Sequence, residues 1–197
     1  QAYCEYQIYL QSFLGVKIRP TQAMREGLKQ HTNLYRDFRE KATEKGTIQE
    51  LLQKVKEEGI SYSSRELGVV GLASGIYGKI DNIILHPDRI EIVDDKPSER
   101  VWSSDVRQVW GYCLAFKENF APGLPIFGLV QHRDTRMVLF REKLSPGIEQ
   151  VMRESVIQRM HELILGIRQF EPTQKPEKCR ACRFGQRGVC DRSLCAH

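Results

Sequence analysis

The chain has 197 residues, 41% of them hydrophobic and 28% charged, with 30 Lys and Arg against 25 Asp and Glu for a net charge of +5. This length suits one domain with a substantial core, and the composition excludes a disordered, repetitive or collagen-like chain. No secretory signal or apolar run of transmembrane length is visible, so the expected setting is a reducing cytoplasm away from membranes.

Helical patterns are predicted near 5–14, 21–44 and 47–58. In the second of these, Gly27 and His31 lie four apart and share a face. A glycine inside a helix costs roughly 1 kcal/mol relative to alanine, so Gly27 predicts a close approach of another backbone. His31 can supply a neutral imidazole to a metal, although a helical histidine is also commonly a surface or core residue.

Strands follow near 61–70, 76–86 and 89–96. The apolar runs Ile80–Leu85 and Ile90–Val93 flank His86-Pro87-Asp88, a hairpin signal. A turn centred on Pro87 and Asp88 pairs residues whose numbers sum to 175, which sets Asp81 opposite Asp94. Opposed Cβ atoms lie roughly 4.5–5.5 Å apart, near enough for two carboxylates to share an ion. Alternation puts Lys96 on the face of Asp94 and turns Asp95 to the other face, while Pro97 keeps Lys96 extended. Strands apolar at nearly every position belong in a buried sheet, where a carboxylate is costly unless it is paired or binds metal. Two acids and a lysine converging in this way form a metal-dependent phosphodiesterase constellation.

A helix is predicted over 103–120, capped by Ser103 or Ser104, with Gln108 and Tyr112 on one face. Core packing of Trp110, Tyr112 and Leu114 explains that face as well as a functional role does. Strands near 125–133 and 136–142 and a long helix over 145–168 complete the map. This order predicts an α/β fold with a central mixed sheet flanked by helices.

Six cysteines are unevenly placed: Cys4, Cys113, Cys179, Cys182, Cys190 and Cys195, with four in the last nineteen residues. In a reducing compartment, such spacing points to metal ligation more than to disulfides, and it fits either zinc or an iron–sulfur cluster. Cys113, on an apolar helix, reads as packing. From Arg168 to Arg192 there are seven basic residues against three acidic ones, a patch suited to phosphate backbones.

The motifs Gly27-Leu28-Lys29-Gln30-His31, Gly78-Lys79-Ile80-Asp81, Asp94-Asp95-Lys96, Gln108-Val109-Trp110-Gly111-Tyr112 and the cysteines stand in the order found in one family. The chain resembles the PD-(D/E)XK nuclease superfamily, in its RecB-like branch with an iron–sulfur cluster. It is most similar there to the CRISPR-associated RecB-like exonucleases, with single-strand DNA repair exonucleases close behind. The resemblance implies one nuclease domain over 1–197, with a core at 21–169 and cluster elements at 1–20 and 170–197. It implies Mg²⁺ or Mn²⁺ held by His31, Asp81, Asp94 and the backbone carbonyl of Asp95, with Lys96 at the attacking water and Gln108 and Tyr112 beside it. It also implies a structural 4Fe–4S cluster on Cys4, Cys179, Cys182 and Cys190, with Cys195 as an alternative fourth ligand and the two ends of the chain clasped together. The expected substrate is single-stranded or frayed DNA, trimmed for CRISPR spacer acquisition beside the integrase complex. The competing reading is a non-catalytic DNA-binding module on the same fold.

Overall fold

The computed structural model describes residues 4–42 and 46–194. Cys195, and the expected continuation of the second helix to residue 44, lie outside the described residues. In chain order the helices are α1 (Glu5–Ile8, running into a π-helical turn at Tyr9–Phe13), α2 (Gln22–Lys41), α3 (Ile48–Glu58) and α4 (Ser103–Phe120), then α5 (Pro146–Val151), α6 (Gln158–Ile164), α7 (Pro176–Ala181) and α8 (Arg183–Gln186). The strands are β1 (Tyr62–Gly71), β2 (Ile76–Leu85), β3 (Ile90–Lys96), β4 (Ile126–His132) and β5 (Val138–Lys143). The chain divides into two compact units: residues 27–158, and residues 1–26 together with 159–197. Among the described residues, no helix is long and apolar enough to cross a membrane.

The larger unit is a five-stranded mixed sheet in the order β1-β2-β3-β4-β5, flanked by helices. Only β3 and β4 run parallel. Parallel neighbours need a long crossover, and α4 supplies it. Its Val109, Cys113 and Phe116 recur at helical spacing, and all three are fully buried with Ile80, Ile83, Ile90, Ile92 and Val130 of the sheet. Cys113 is therefore a packing residue, and burial pushes its thiol far up. The β2–β3 register runs from Asn82↔Val93 to Leu85↔Ile90, the pairing that the Pro87-Asp88 turn predicts.

Local chemistry fixes the element ends. Thr47 and Glu50 exchange side-chain and backbone hydrogen bonds at the start of α3, a reciprocal cap worth about 1 kcal/mol. At α4 the expected serine cap is replaced. Asp105 accepts from the Trp102 N–H at 2.9 Å, and Ser103 and Ser104 are helical. A carboxylate three positions into the helix meets the free N–H and the helix dipole together, which a serine one position later cannot do. The long helix predicted over 145–168 is interrupted by a π-helical stretch at Met152–Ile157. It stops at Ile164 because Gly166 turns left-handed, with φ 71°.

The close approach predicted at Gly27 is not there: a Cβ built on this residue meets nothing within 4 Å. The glycine is thus a weak point of α2 rather than a packing site. Gly27→Ala should stabilise the protein by about 0.5–1 kcal/mol, read as a rise in Tm.

Candidate functional site

The β2–β3 ladder ends at Asn82↔Val93, one position before Asp81 would face Asp94. There a side chain replaces the backbone: Asp81 Oδ2 accepts from the Asp95 N–H at 3.0 Å. This holds Asp81 against β3 at the point where Asp94 and Lys96 emerge. Asp94 is 1% exposed, and its Oδ2 lies 2.8 Å from Lys96 Nζ. Lys96 also lies 3.6 Å from Asp105 and donates to Gln108 Oε1 at 3.3 Å; Gln108 in turn donates to the Tyr112 hydroxyl at 3.0 Å. The α4 cap and the face carrying Gln108 and Tyr112 therefore orient one lysine. Gly78 is required here, because a Cβ would sit 2.6 Å from the Tyr112 ring.

His31 arrives from α2, its Nδ1 3.6 Å from Asp81 and 3.4 Å from Glu66. The ligand atoms of His31, Glu66 and Asp81 all lie within 4.8 Å of one another, the spacing of groups around one ion. Asp94, expected from the sequence as a further ligand, is outside that group; its buried carboxylate pairs with Lys96 and feels the charge of Asp81. This all-oxygen-and-imidazole set fits a divalent cation such as Mg²⁺ or Mn²⁺.

Sequence reasoning missed Glu66. The β1–β2 ladder pairs Arg65↔Asn82 and Leu67↔Ile80 but leaves the position between them open. At that position Glu66 adopts φ 55°, a left-handed conformation rare outside glycine and costly for a glutamate. The distortion sets its carboxylate beside His31 and Asp81. Only its place opposite Asp81 in the register could have found it.

Asp95 faces the other side, as alternation requires. Its buried carboxylate is held by Arg65 at 2.6 Å and Arg136 at 3.3 Å. Its backbone carbonyl is approached by Arg133 Nη2 at 3.4 Å. The same nitrogen lies 3.0 Å from His31 Nε2, and Gln30 accepts from Arg133 Nη1. A guanidinium can only donate, so Nε2 must present its lone pair and Nδ1–H faces the carboxylates. Coordination through Nδ1 would move that proton to Nε2 and require Arg133 to release the ring. Arg133, 9% exposed, was not singled out by any motif.

Charge is crowded in this pocket. The Asp94 carboxyl is pushed up to about 6, chiefly by burial, with Asp81 and Asp105 adding repulsion and Lys96 opposing them. Asp81 is raised too, first by burial, although the Asp95 N–H and His31 work against the shift. For Lys96, burial disfavours the charge, but Asp94 outweighs it and lifts the ammonium above its ordinary range. At neutral pH Lys96 is a cation.

The smaller unit brings four described cysteines together. Cys4, Cys179, Cys182 and Cys190 line one small cavity, closed by Leu10 and Phe184. All the described cysteines are free thiols. Two sulfurs already receive N–H groups: Gln7 Nε2 donates to Cys182 at 3.0 Å and the Thr173 backbone to Cys4 at 3.3 Å. Burial and then the nearby Cys182 and Cys4 raise the Cys190 thiol. The long gap before Cys190 is a compact return. It contains α8, Gly188 at φ 67°, and a Val189 N–H donated to Phe184 O at 3.1 Å. Four convergent thiols with N–H donors fit an iron–sulfur cluster or zinc.

The chain matches the PD-(D/E)XK nuclease superfamily over residues 3–191 and belongs to it. Among solved structures it is similar to a protein from Eubacterium rectale described as a candidate exonuclease. That likeness has a TM-score of 0.52 and 15% identity, covering 98% of this chain and 83% of the other. A second, the protein SSO0001, is 14% identical with a TM-score of 0.46, covering 97% and 82%. No curated protein matches the chain.

The raised Asp94 has a consequence for stability. An acid whose folded value is raised contributes stability that is present below its ordinary value and lost as pH rises through about 6. In chelator, the wild-type protein should therefore lose Tm between about pH 4 and 6 relative to Asp94→Asn, by a difference on the order of 1–3 kcal/mol. Parallel Tm profiles for the two proteins would refute the charge crowding.

Proposed function

We propose that this PD-(D/E)XK protein is a metal-dependent deoxyribonuclease that removes nucleotides from single-stranded or frayed DNA ends. The observation that carries the reading is the convergence of Asp81, Asp94 and Lys96 at one end of the β2–β3 hairpin, with His31 and Glu66 facing them. His31, Glu66, Asp81 and Asp94 would hold the cation, with the Asp95 carbonyl available once Arg133 moves. A bound Mg²⁺ or Mn²⁺ supplies a water of lowered pKa and offsets charge on the scissile phosphate.

The residues of the chain do the rest. Asp94 and Gln108 fix the Lys96 ammonium. Because Lys96 is charged at neutral pH, its role is to orient the attacking water and to donate to a phosphoryl oxygen as negative charge develops there. Tyr112 steadies Gln108 from the next helical turn. Action at DNA ends is supported by the shared fold with the Eubacterium rectale protein. Trimming for CRISPR spacer acquisition, with the integrase complex as partner, rests on the motif resemblance alone.

The cysteine pocket is read as a structural 4Fe–4S site. The reading is supported by the convergence of Cys4 and Cys190 with Cys179 and Cys182 on one cavity.

Asp94→Ala and Lys96→Ala should each lower DNA cleavage by at least about a thousandfold, from loss of charge stabilisation at the phosphate, while leaving DNA binding in place. Chelator should abolish the wild-type activity, and Mg²⁺ or Mn²⁺ should restore it. Near-wild-type cleavage by both variants would overturn the assignment and leave the non-catalytic module standing.

Cys4→Ser should remove bound iron and lower Tm together, since ligation energy at a site absent from the unfolded chain is folding energy. Anaerobically purified protein should contain iron and acid-labile sulfide in comparable amounts. Zinc alone would refute the cluster. Full iron and full stability in Cys4→Ser would refute the clasp between chain ends.

A further inference from the structure

The smaller unit carries a group of aromatic rings that its core does not use. Tyr9 and Phe13 stack with centroids 6.0 Å apart and planes 23° from parallel. Phe170 closes against both, at 5.6 Å and 5.2 Å. Phe13 is 48% exposed, while the buried centre of the unit is Leu10, Cys182 and Phe184. Tyr9 and Phe170 line an open hollow together with Arg192, whose side chain is 65% exposed and lies 3.9 Å from the exposed Asp191. Glu171 also borders the hollow, 3.6 Å from Arg159, which is shared with Glu5.

Charge is divided as sharply as the rings. Residues 1–26 and 159–197 hold eleven Lys and Arg against six Asp and Glu, a net of +5, whereas residues 27–158 hold nineteen of each. The entire net charge of the protein thus belongs to the unit with the exposed rings, and the unit bearing the carboxylate site is neutral overall.

We propose that the Tyr9–Phe13–Phe170 shelf is a docking surface for single-stranded nucleic acid, with unpaired bases stacking on Phe13 and Phe170 and phosphates drawn by Arg192 and its basic surroundings. Exposed rings within a positive field are the combination that binds single strands without reading sequence. A duplex keeps its base faces stacked inside and cannot use the rings, so the occupant is single-stranded. The proposal names the substrate form for the nuclease reading and rests on that reading for its purpose.

The test is fluorescence anisotropy of a labelled oligothymidine with the full chain in chelator, which separates binding from cleavage. Phe13→Leu, Phe170→Leu and the double variant keep apolar volume but remove the ring faces. Each single change should weaken oligothymidine binding about tenfold, the scale of one lost base stack. Binding of a blunt duplex, Tm and the visible spectrum should stay as in the wild type, and Phe13→Trp should bind at least as well as the wild type. Oligothymidine affinity of the double variant within twofold of wild type would overturn the proposal. So would an equal loss on duplex, which would mean that phosphates alone are bound, or a fall in Tm matching the loss, which would make the rings core. A failed Asp94 or Lys96 cleavage test leaves this binding result standing, and failure here leaves the cleavage site untouched.

Discussion

The hydrogen bond from the Asp95 N–H to Asp81 is the contact on which the candidate site depends. At that point a strand ladder ends and a carboxylate takes the place of a carbonyl. The backbone donor of β3 is satisfied, which buried amides require, and the acid is fixed beside the strand end rather than left to solvent. Strand alternation then divides the consequences between two faces. Asp94 and Lys96 share the face of Asp81, and Asp95 goes to the other, where Arg65 and Arg136 balance its buried charge. The Arg133 N–H donates to Lys96 O at 2.8 Å, so the same end of β3 is also tied to β4.

The parts of this arrangement that obey a period were legible in the sequence. Proline and aspartate at the β2–β3 turn set a pairing sum that holds from Leu85↔Ile90 to Asn82↔Val93, one position short of Asp81 and Asp94. Alternation fixed the opposite sense of Asp95, and helical spacing put Gln108 and Tyr112 together. Glu66 and Arg133 follow no such rule. Glu66 reaches the site because its backbone leaves the β region at one residue, a local distortion with no composition cue. Arg133 sits where β4 leaves the sheet, and its contacts with Gln30 and His31 cross about a hundred positions of sequence. Gly27 failed for the converse reason: helix propensity marks a glycine as costly without saying whether anything approaches it.

The site is held in tension. Three carboxylates and an imidazole crowd one end of an apolar sheet. Burial raises two of the acids, and one residue sits in a backbone conformation that its side chain disfavours. Local cost of this kind survives only where the surrounding fold over-determines it, and here the sheet and α4 do so. Lys96 and Arg133 supply positive charge at the two sides of the cluster. Lys96 is fixed by Asp94, Asp105 and Gln108, whereas Arg133 holds His31 in the tautomer that keeps a proton on Nδ1. His31, Glu66 and Asp81 would hold a divalent cation, whose charge would offset the repulsion among the acids.

The two units solve the problem of stability by different means. The larger has a continuous apolar layer between α4 and the sheet and is stable for the reason most α/β domains are. The smaller is assembled from both ends of the chain, and its core cluster among the described residues is Leu10, Cys182 and Phe184, with Tyr6, Val16, Ile18 and Cys190 against them. Apolar burial on that scale does not offset the entropy of ordering two chain ends. Specific tethers add to it: Arg159 pairs with Glu5, the Tyr6 hydroxyl donates to Asp191 at 2.8 Å, and Arg183 donates to Arg19 O at 2.6 Å. Each of these joins an N-terminal residue to a C-terminal one, as do the Gln7–Cys182 and Thr173–Cys4 contacts at the thiols. In the proposed reading the cluster completes this set, because ligands at Cys4 and at Cys179 to Cys190 close a loop of more than 170 residues. With its ends anchored there, the unit needs little apolar cover, which leaves Phe13 free to stand on its surface.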